Sequence, residues 1–129
     1  LDFITRLKNE PNQLSVLGNG QQQKTYLHVS ELIEAMLFIN SNTDVGINYY
    51  NIGAQDRGIS VKQISEITVS RISPDAKILY QDSDRGWVGD VPRFYYCIDK
   101  LNELGWRPNM SSLEVITRAV NEIALQEDL

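Results

Sequence analysis

Lys24 and Tyr26 stand two residues apart in GNGQQQKTYLHV, after a glycine turn. In an extended chain residues i and i+2 share a face, so an ammonium group and a phenol could grip one anion together. The competing reading makes Lys24 a surface charge and Tyr26 a core aromatic, and the stretch by itself leaves both open. A second concentration of chemistry lies in DSDRGWVGDVPR, Asp82 to Arg93. Arg85 can present a planar fork of donors to a phosphate, and Gly89 allows the backbone to come close to a ligand where a Cβ would intrude. Asp90, ionised, would repel phosphate; it suits holding an arginine in place or accepting from a sugar hydroxyl. Here too a plain alternative stands. Asp90 and Pro92 would make an ordinary turn, and Arg85 would pair in solvent with Asp82 or Asp84, which contributes about 0 to 1 kcal/mol.

Other polar residues read as structural. Asn51 in YNIG would satisfy backbone groups at a strand end, and His28, between a strand and a helix, would be hydrogen-bonded rather than catalytic. Cys97 has no neighbour in sequence that would make it a nucleophile. One His and one Cys exclude a His/Cys metal cluster and an internal disulfide. No Ser/His/Asp set, Walker motif or G-x-G-x-x-G is present. Seventeen acidic against twelve basic residues give a net charge of -5, which argues against nucleic acid or an anionic membrane surface as a partner. No apolar run reaches the roughly 18 to 20 residues of a membrane span. The expectation is a soluble, cytoplasmic protein.

The elements that must position these residues follow from periodicity. Phe3, Ile4 and Leu7 have helical spacing, but no Met and no capping residue precede them, so the chain reads as starting inside a helix of a longer polypeptide. LSVLG (14–18), KTYLHV (24–29), INYYNIG (47–53) and AKILYQ (76–81) read as strands. A helix is expected from Ser30 through SELIEAMLFIN, apolar around most of its circumference and buried on several sides, in part by protein absent from this chain. Ser60 with Gln63, and Ser111 with Glu114, form capping-box patterns for two further helices. The last would turn Leu113, Ile116, Val120 and Ile123 inward, and a short helix spans Cys97 to Leu104. The result is one small α/β domain, 1–129, with a mixed sheet. Residues 82–93 fit no element, and loops of that length in compact domains are commonly functional.

The order GNGQQQKTYLHVSEL, YNIG, helix, strand, RGWVGDVPR, DKLNELGWRP resembles the C-terminal part of the extended short-chain dehydrogenase/reductases, and within them the NAD-dependent nucleotide-sugar epimerases and dehydratases. The likeness runs over nearly the whole chain. It implies a small substrate domain with the Rossmann domain mostly or wholly absent from this chain. That upstream domain would hold NAD and the Tyr-x-x-x-Lys pair for proton transfer, and the full protein would act on a nucleotide sugar, of UDP type, and form a homodimer through Rossmann-side helices. NAD would take a hydride from a sugar carbon while the upstream Tyr takes the hydroxyl proton. Tyr96 and Lys100 have the catalytic spacing but fall on the LGWRP helix, away from the family's position. In this likeness Lys24 takes the place of the diphosphate-binding Arg of G-x-G-x-x-x-R-D-[FY], with Tyr26 as the aromatic. Gly89 and Asp90 match R-x-G-D, Trp87 stands where the arginine usually is, and Arg85 would replace it. Ser30 and Cys97 replace aspartates, changes that touch helix capping. The isolated chain is expected to be inactive. The alternative is a non-catalytic nucleotide-sugar-binding or regulatory module of the same fold.

Overall fold

The computed structural model describes every residue except Val45, Arg85, Trp87, Val88, Asp90 and Pro92. α1 (Asp2–Asn9) carries an i,i+4 ion pair, Arg6 Nε to Asp2 at 3.0 Å, and turns Ile4 and Leu7 inward. It leads into β1 (Gln13–Val16), which pairs in parallel with β4 (Lys77–Tyr80), Leu14 opposite Ile78 and Val16 opposite Tyr80. β2 (Gln23–Lys24) and β3 (Ile59–Ser60) form a second, antiparallel pair. The mixed sheet expected from the sequence is therefore two small sheets, one parallel and one antiparallel.

Between the strands stand α2 (Val29–Asn42) and α3 (Val61–Ile72); α4 (Asp99–Leu104) and α5 (Ser112–Gln126) follow. Both capping boxes form as their spacing dictates: Ser60 with Gln63 opens α3, and Ser111 with Glu114 opens α5. α4 ends where Gly105 takes φ +114°, a left-handed cap that a residue with Cβ adopts only under strain.

Two apolar clusters hold these elements. Leu7, Leu14, Val16 and Val69 meet between α1, β1 and α3, while Ala35, Leu101 and Trp106 seat α2 against α4 and the turn after it. Buried Glu31 fastens the same contact, accepting from the backbone N–H groups of Asn109 at 2.6 Å and Met110 at 3.2 Å. Those groups would otherwise lie unpaired at the turn before α5.

Three expectations need correction. KTYLHV is a strand only through Lys24, because the Tyr26 N–H donates to the Ser112 hydroxyl instead of a neighbouring strand and His28 turns to cap α2. INYYNIG forms no strand among the described residues: the Lys100 ammonium donates to the Tyr49 carbonyl, and the Asn51 side chain donates to the Cys97 carbonyl, so side-chain bonds rather than a ladder fix this segment. Of the cover expected around α2, this chain supplies only that over Glu31 and Ala35, and Val29, Ile33, Met36 and Leu37 are 53–64% exposed. On α5 the inner face centres on Ser112, Val115, Val120 and Ala124, and Leu113 is exposed. Among the described residues no helix is long and apolar enough to cross a membrane.

Leu101 is fully buried where α2, α4 and Trp106 meet. Leu101→Ala should lower unfolding free energy by about 2 to 5 kcal/mol in urea titration, and an unchanged midpoint would show that this cluster does not hold α2.

Candidate functional site

Segment 82–93 is bonded at both ends to the stretch that leads to Lys24. At its start Gln81 N–H donates to the Gly18 carbonyl at 3.0 Å, and Asn19 N–H donates to that of Ser83 at 2.6 Å. At its end Arg93 bridges in parallel to Gln23, the residue before Lys24. The described residues at the two ends of this segment are thus both bonded to residues 18–23. Arg85 and Asp90, with Trp87, lie outside the described residues.

Along the same side runs a groove beside the start of α1. A cavity of about 150 Å³ is lined by Asp2, Phe3, Arg6, Val16, Leu17, Gln22, Val61 and Gly86. A second, of about 280 Å³, lies between α1, α3 and α5, with Tyr26 on its wall beside Phe3, Ile64 and Ile116. Asp2, Phe3 and Val61 border both. Gln22 and Tyr26, which line one each, flank half-buried Lys24 in the chain. Tyr26 is itself half-buried, on a wall shared with Phe3, Ile64 and Ile116.

The strand bearing Lys24 is positioned by a carboxylate that the sequence reading passed over. Asp56 accepts from Gly58 N–H at 2.8 Å, from the Ser112 hydroxyl at 2.7 Å and from Ser112 N–H. The Ser112 oxygen in turn accepts from Tyr26 N–H at 2.9 Å. One relay therefore joins the 53–58 loop, the first turn of α5 and the chain just past Lys24. Gly58, at φ +80°, lies so close to the Lys24 carbonyl that any Cβ would collide with backbone. Burial raises the proton affinity of Asp56, but the donors from Ser112 and Gly58 outweigh it and hold the carboxyl below its ordinary value. Its only sequence signal was an Asp two residues before a glycine, the pattern of an Asx turn.

The remaining candidates serve the framework, as expected of them. His28 Nδ1 accepts from Ser30 N–H, which leaves the proton on Nε2 to donate to Glu122 Oε2 at 3.0 Å. Arg118 also donates to Glu122, at 2.7 Å, and these two donors hold that carboxyl below its usual range. Lys100, of the Tyr96 and Lys100 pair, lies over the Tyr50 ring at 4.4 Å besides its bond to Tyr49. The Cys97 thiol donates to Asp99. Among the described residues no group of three or more His, Cys, Asp or Glu could hold a metal ion.

Because the folded-state Asp56 pKa is depressed, its stabilisation is complete above the unfolded value near 4 and is lost as pH falls through the lower folded value. Asp56→Asn should therefore flatten the fall in stability between about pH 5 and pH 2 seen by circular dichroism; identical acid profiles would remove Asp56 from this role. Gly58→Ala should cost at least about 2 kcal/mol in the same assay, through left-handed strain and the clash with Lys24.

The family model for the NAD-dependent epimerase/dehydratase family matches residues 1–53. A putative UDP-glucose 4-epimerase of Methanocaldococcus jannaschii is 29% identical over 120 residues, covering 92% of this chain and 36% of that protein. A dTDP-D-glucose 4,6-dehydratase of Mus musculus is 26% identical over 122 residues, covering 92% and 34%. Among solved structures, a UDP-galactose 4-epimerase superposes with TM-score 0.79 at 29% identity, covering 97% of this chain and 39% of that one. An epimerase of Methanothermobacter thermautotrophicus shares the fold at TM-score 0.79 and 18% identity, over 98% and 37%. The chain spans 28 to 36% of the length of the first curated relatives it matches. In sequence and in fold, then, this chain is similar to NAD-dependent epimerases and dehydratases that include a putative UDP-glucose 4-epimerase and a UDP-galactose 4-epimerase.

Proposed function

We propose that this chain is the C-terminal, substrate-side domain of an NAD-dependent nucleotide-sugar epimerase or dehydratase, and that it grips the nucleotide diphosphate. The observation that carries the reading is the anchoring of segment 82–93 to the glycine turn at one end and to Gln23, beside Lys24 on β2, at the other. A ligand in the groove beside α1 meets Tyr26 on its wall, with half-buried Lys24 two residues before it in the chain. Lys24 supplies a point charge to the diphosphate where an arginine would supply a fork. From their sequence positions, Arg85 adds a second cation and Asp90 accepts from a sugar hydroxyl or steadies that arginine.

Among the described residues the glycine turn and the Tyr-x-x-x-Lys spacing do not fit NAD. The glycine turn at Gly18 and Gly20 opens onto β2, not onto a helix N-terminus that could take a pyrophosphate. The one Tyr-x-x-x-Lys spacing has its lysine committed to Tyr49 and Tyr50. Binding of NAD and the proton-transferring Tyr and Lys belong in this reading to a Rossmann domain upstream in the same cytoplasmic polypeptide. The apolar face of α2, Val29, Ile33, Met36 and Leu37, with Ile47 and Tyr49 also exposed, is the surface it would cover. The rival is a non-catalytic binding module of the same fold. A parent sequence lacking both a glycine-rich NAD loop and Tyr-x-x-x-Lys would decide for it.

Titration of the chain with UDP should give measurable binding that Lys24→Ala weakens about 10- to 100-fold, the worth of one charged hydrogen bond of about 1.5 to 3 kcal/mol. Equal affinity in the two proteins would remove Lys24 from the site. The chain alone should show no epimerase turnover; activity without an upstream half would overturn the assignment of the chemistry.

A further inference from the structure

Tyr80 ends β4, opposite Val16, immediately before the anchored segment. Its ring lies against Gly20: a Cβ on that glycine would stand 2.8 Å from the ring, and φ there is +79°. Its hydroxyl is 2.9 Å from Ser65 Oγ. Ser65 is fully buried and already spends its own proton on the Lys62 carbonyl at 2.7 Å, so Tyr80 is the donor. Lys62 N–H in turn donates to the Gly20 carbonyl at 2.9 Å. The second glycine of GNG is thereby held from two sides, by backbone from α3 and by the face of Tyr80.

We infer that Tyr80 is a positioning residue for the groove. Its ring, packed on Gly20, sets where the Gly18–Gly20 turn sits relative to α3, and the bond of its hydroxyl to Ser65 is an added tether. From that turn the chain runs in one direction to Lys24 and is bonded in the other to the start of segment 82–93. With the pin in place, Gln81 and Ser83 meet Gly18 and Asn19 in a single register. Without it, the turn and the segment are free to slide relative to each other, although the parallel β1–β4 ladder below remains. Gly20 is glycine on this account because the ring occupies the space of its side chain. The consequence for ligand binding rests on the nucleotide reading above; the consequence for the turn does not.

The test compares the unsubstituted 129-residue chain with Tyr80→Leu, Tyr80→Phe and Gly20→Ala, by amide hydrogen exchange and by calorimetric titration with UDP. In Tyr80→Leu and Gly20→Ala, exchange at the Asn19 and Gln81 amides should accelerate about tenfold or more while α5 amides stay within about twofold. The UDP dissociation constant should rise about fivefold or more in both, and Tyr80→Phe, which keeps the ring over Gly20, should return it to within about twofold. Unchanged exchange at Asn19 and Gln81 in Tyr80→Leu would overturn the inference. So would acceleration spread equally over α5, which marks general loss of stability. If the unsubstituted chain does not bind UDP, the nucleotide reading fails, and the exchange pattern alone decides on Tyr80.

Discussion

The carboxylate of Asp56 ties together three stretches of chain. It takes the Gly58 N–H on its own loop, both donors of Ser112 at the head of α5, and through Ser112 the N–H of Tyr26. The antiparallel pairing of β2 with β3 spans only two residues on each strand. A ladder that short cannot fix the direction of a strand, so side-chain hydrogen bonds do it. This is why Gly58 has to be glycine and why the chain leaves strand geometry directly after Lys24.

The same economy recurs across the molecule. Both sheets have two strands, too few for independent stability, and the helices are tied by buried polar groups as much as by apolar contact. Glu31 closes the turn before α5, His28 links α2 to Glu122, and Tyr80 with Ser65 links β4 to α3. Glu31 and His28 also take backbone donors that would otherwise be orphaned, and a carboxylate that takes two such donors stabilises more than an exposed pair does. The apolar stripe of α2 is the exception. It is long, continuous and open to solvent, as expected of a surface that another part of a protein covers.

Much of the framework was legible because it rests on local chemistry. Ser60 with Gln63 and Ser111 with Glu114 announce α3 and α5, since a capping box needs only four consecutive residues. Gly105 marks the end of α4 for a similar reason. His28 and Asn51 were readable as structural residues from their places between elements. The strands at 24–29 and 47–53 were over-read: alternation of polar and apolar residues is the same whether a backbone pairs with a strand or is served by side chains from afar. Asp56, Ser112 and Tyr80 escaped notice because their partners lie 56, 86 and 15 residues away.

Sequence by itself determined the helices, the glycine turn before Lys24, and the motif order that relates this chain to nucleotide-sugar epimerases and dehydratases. Each of these depends on residues near one another in the chain. Only the tertiary structure decided that segment 82–93 starts on the glycine turn before Lys24 and ends beside Gln23, that Tyr26 borders a groove along α1, and that Lys100 is committed to Tyr49 and Tyr50. Those facts depend on which distant backbone donors find acceptors once the two apolar clusters have closed, and no spacing in the chain encodes that choice.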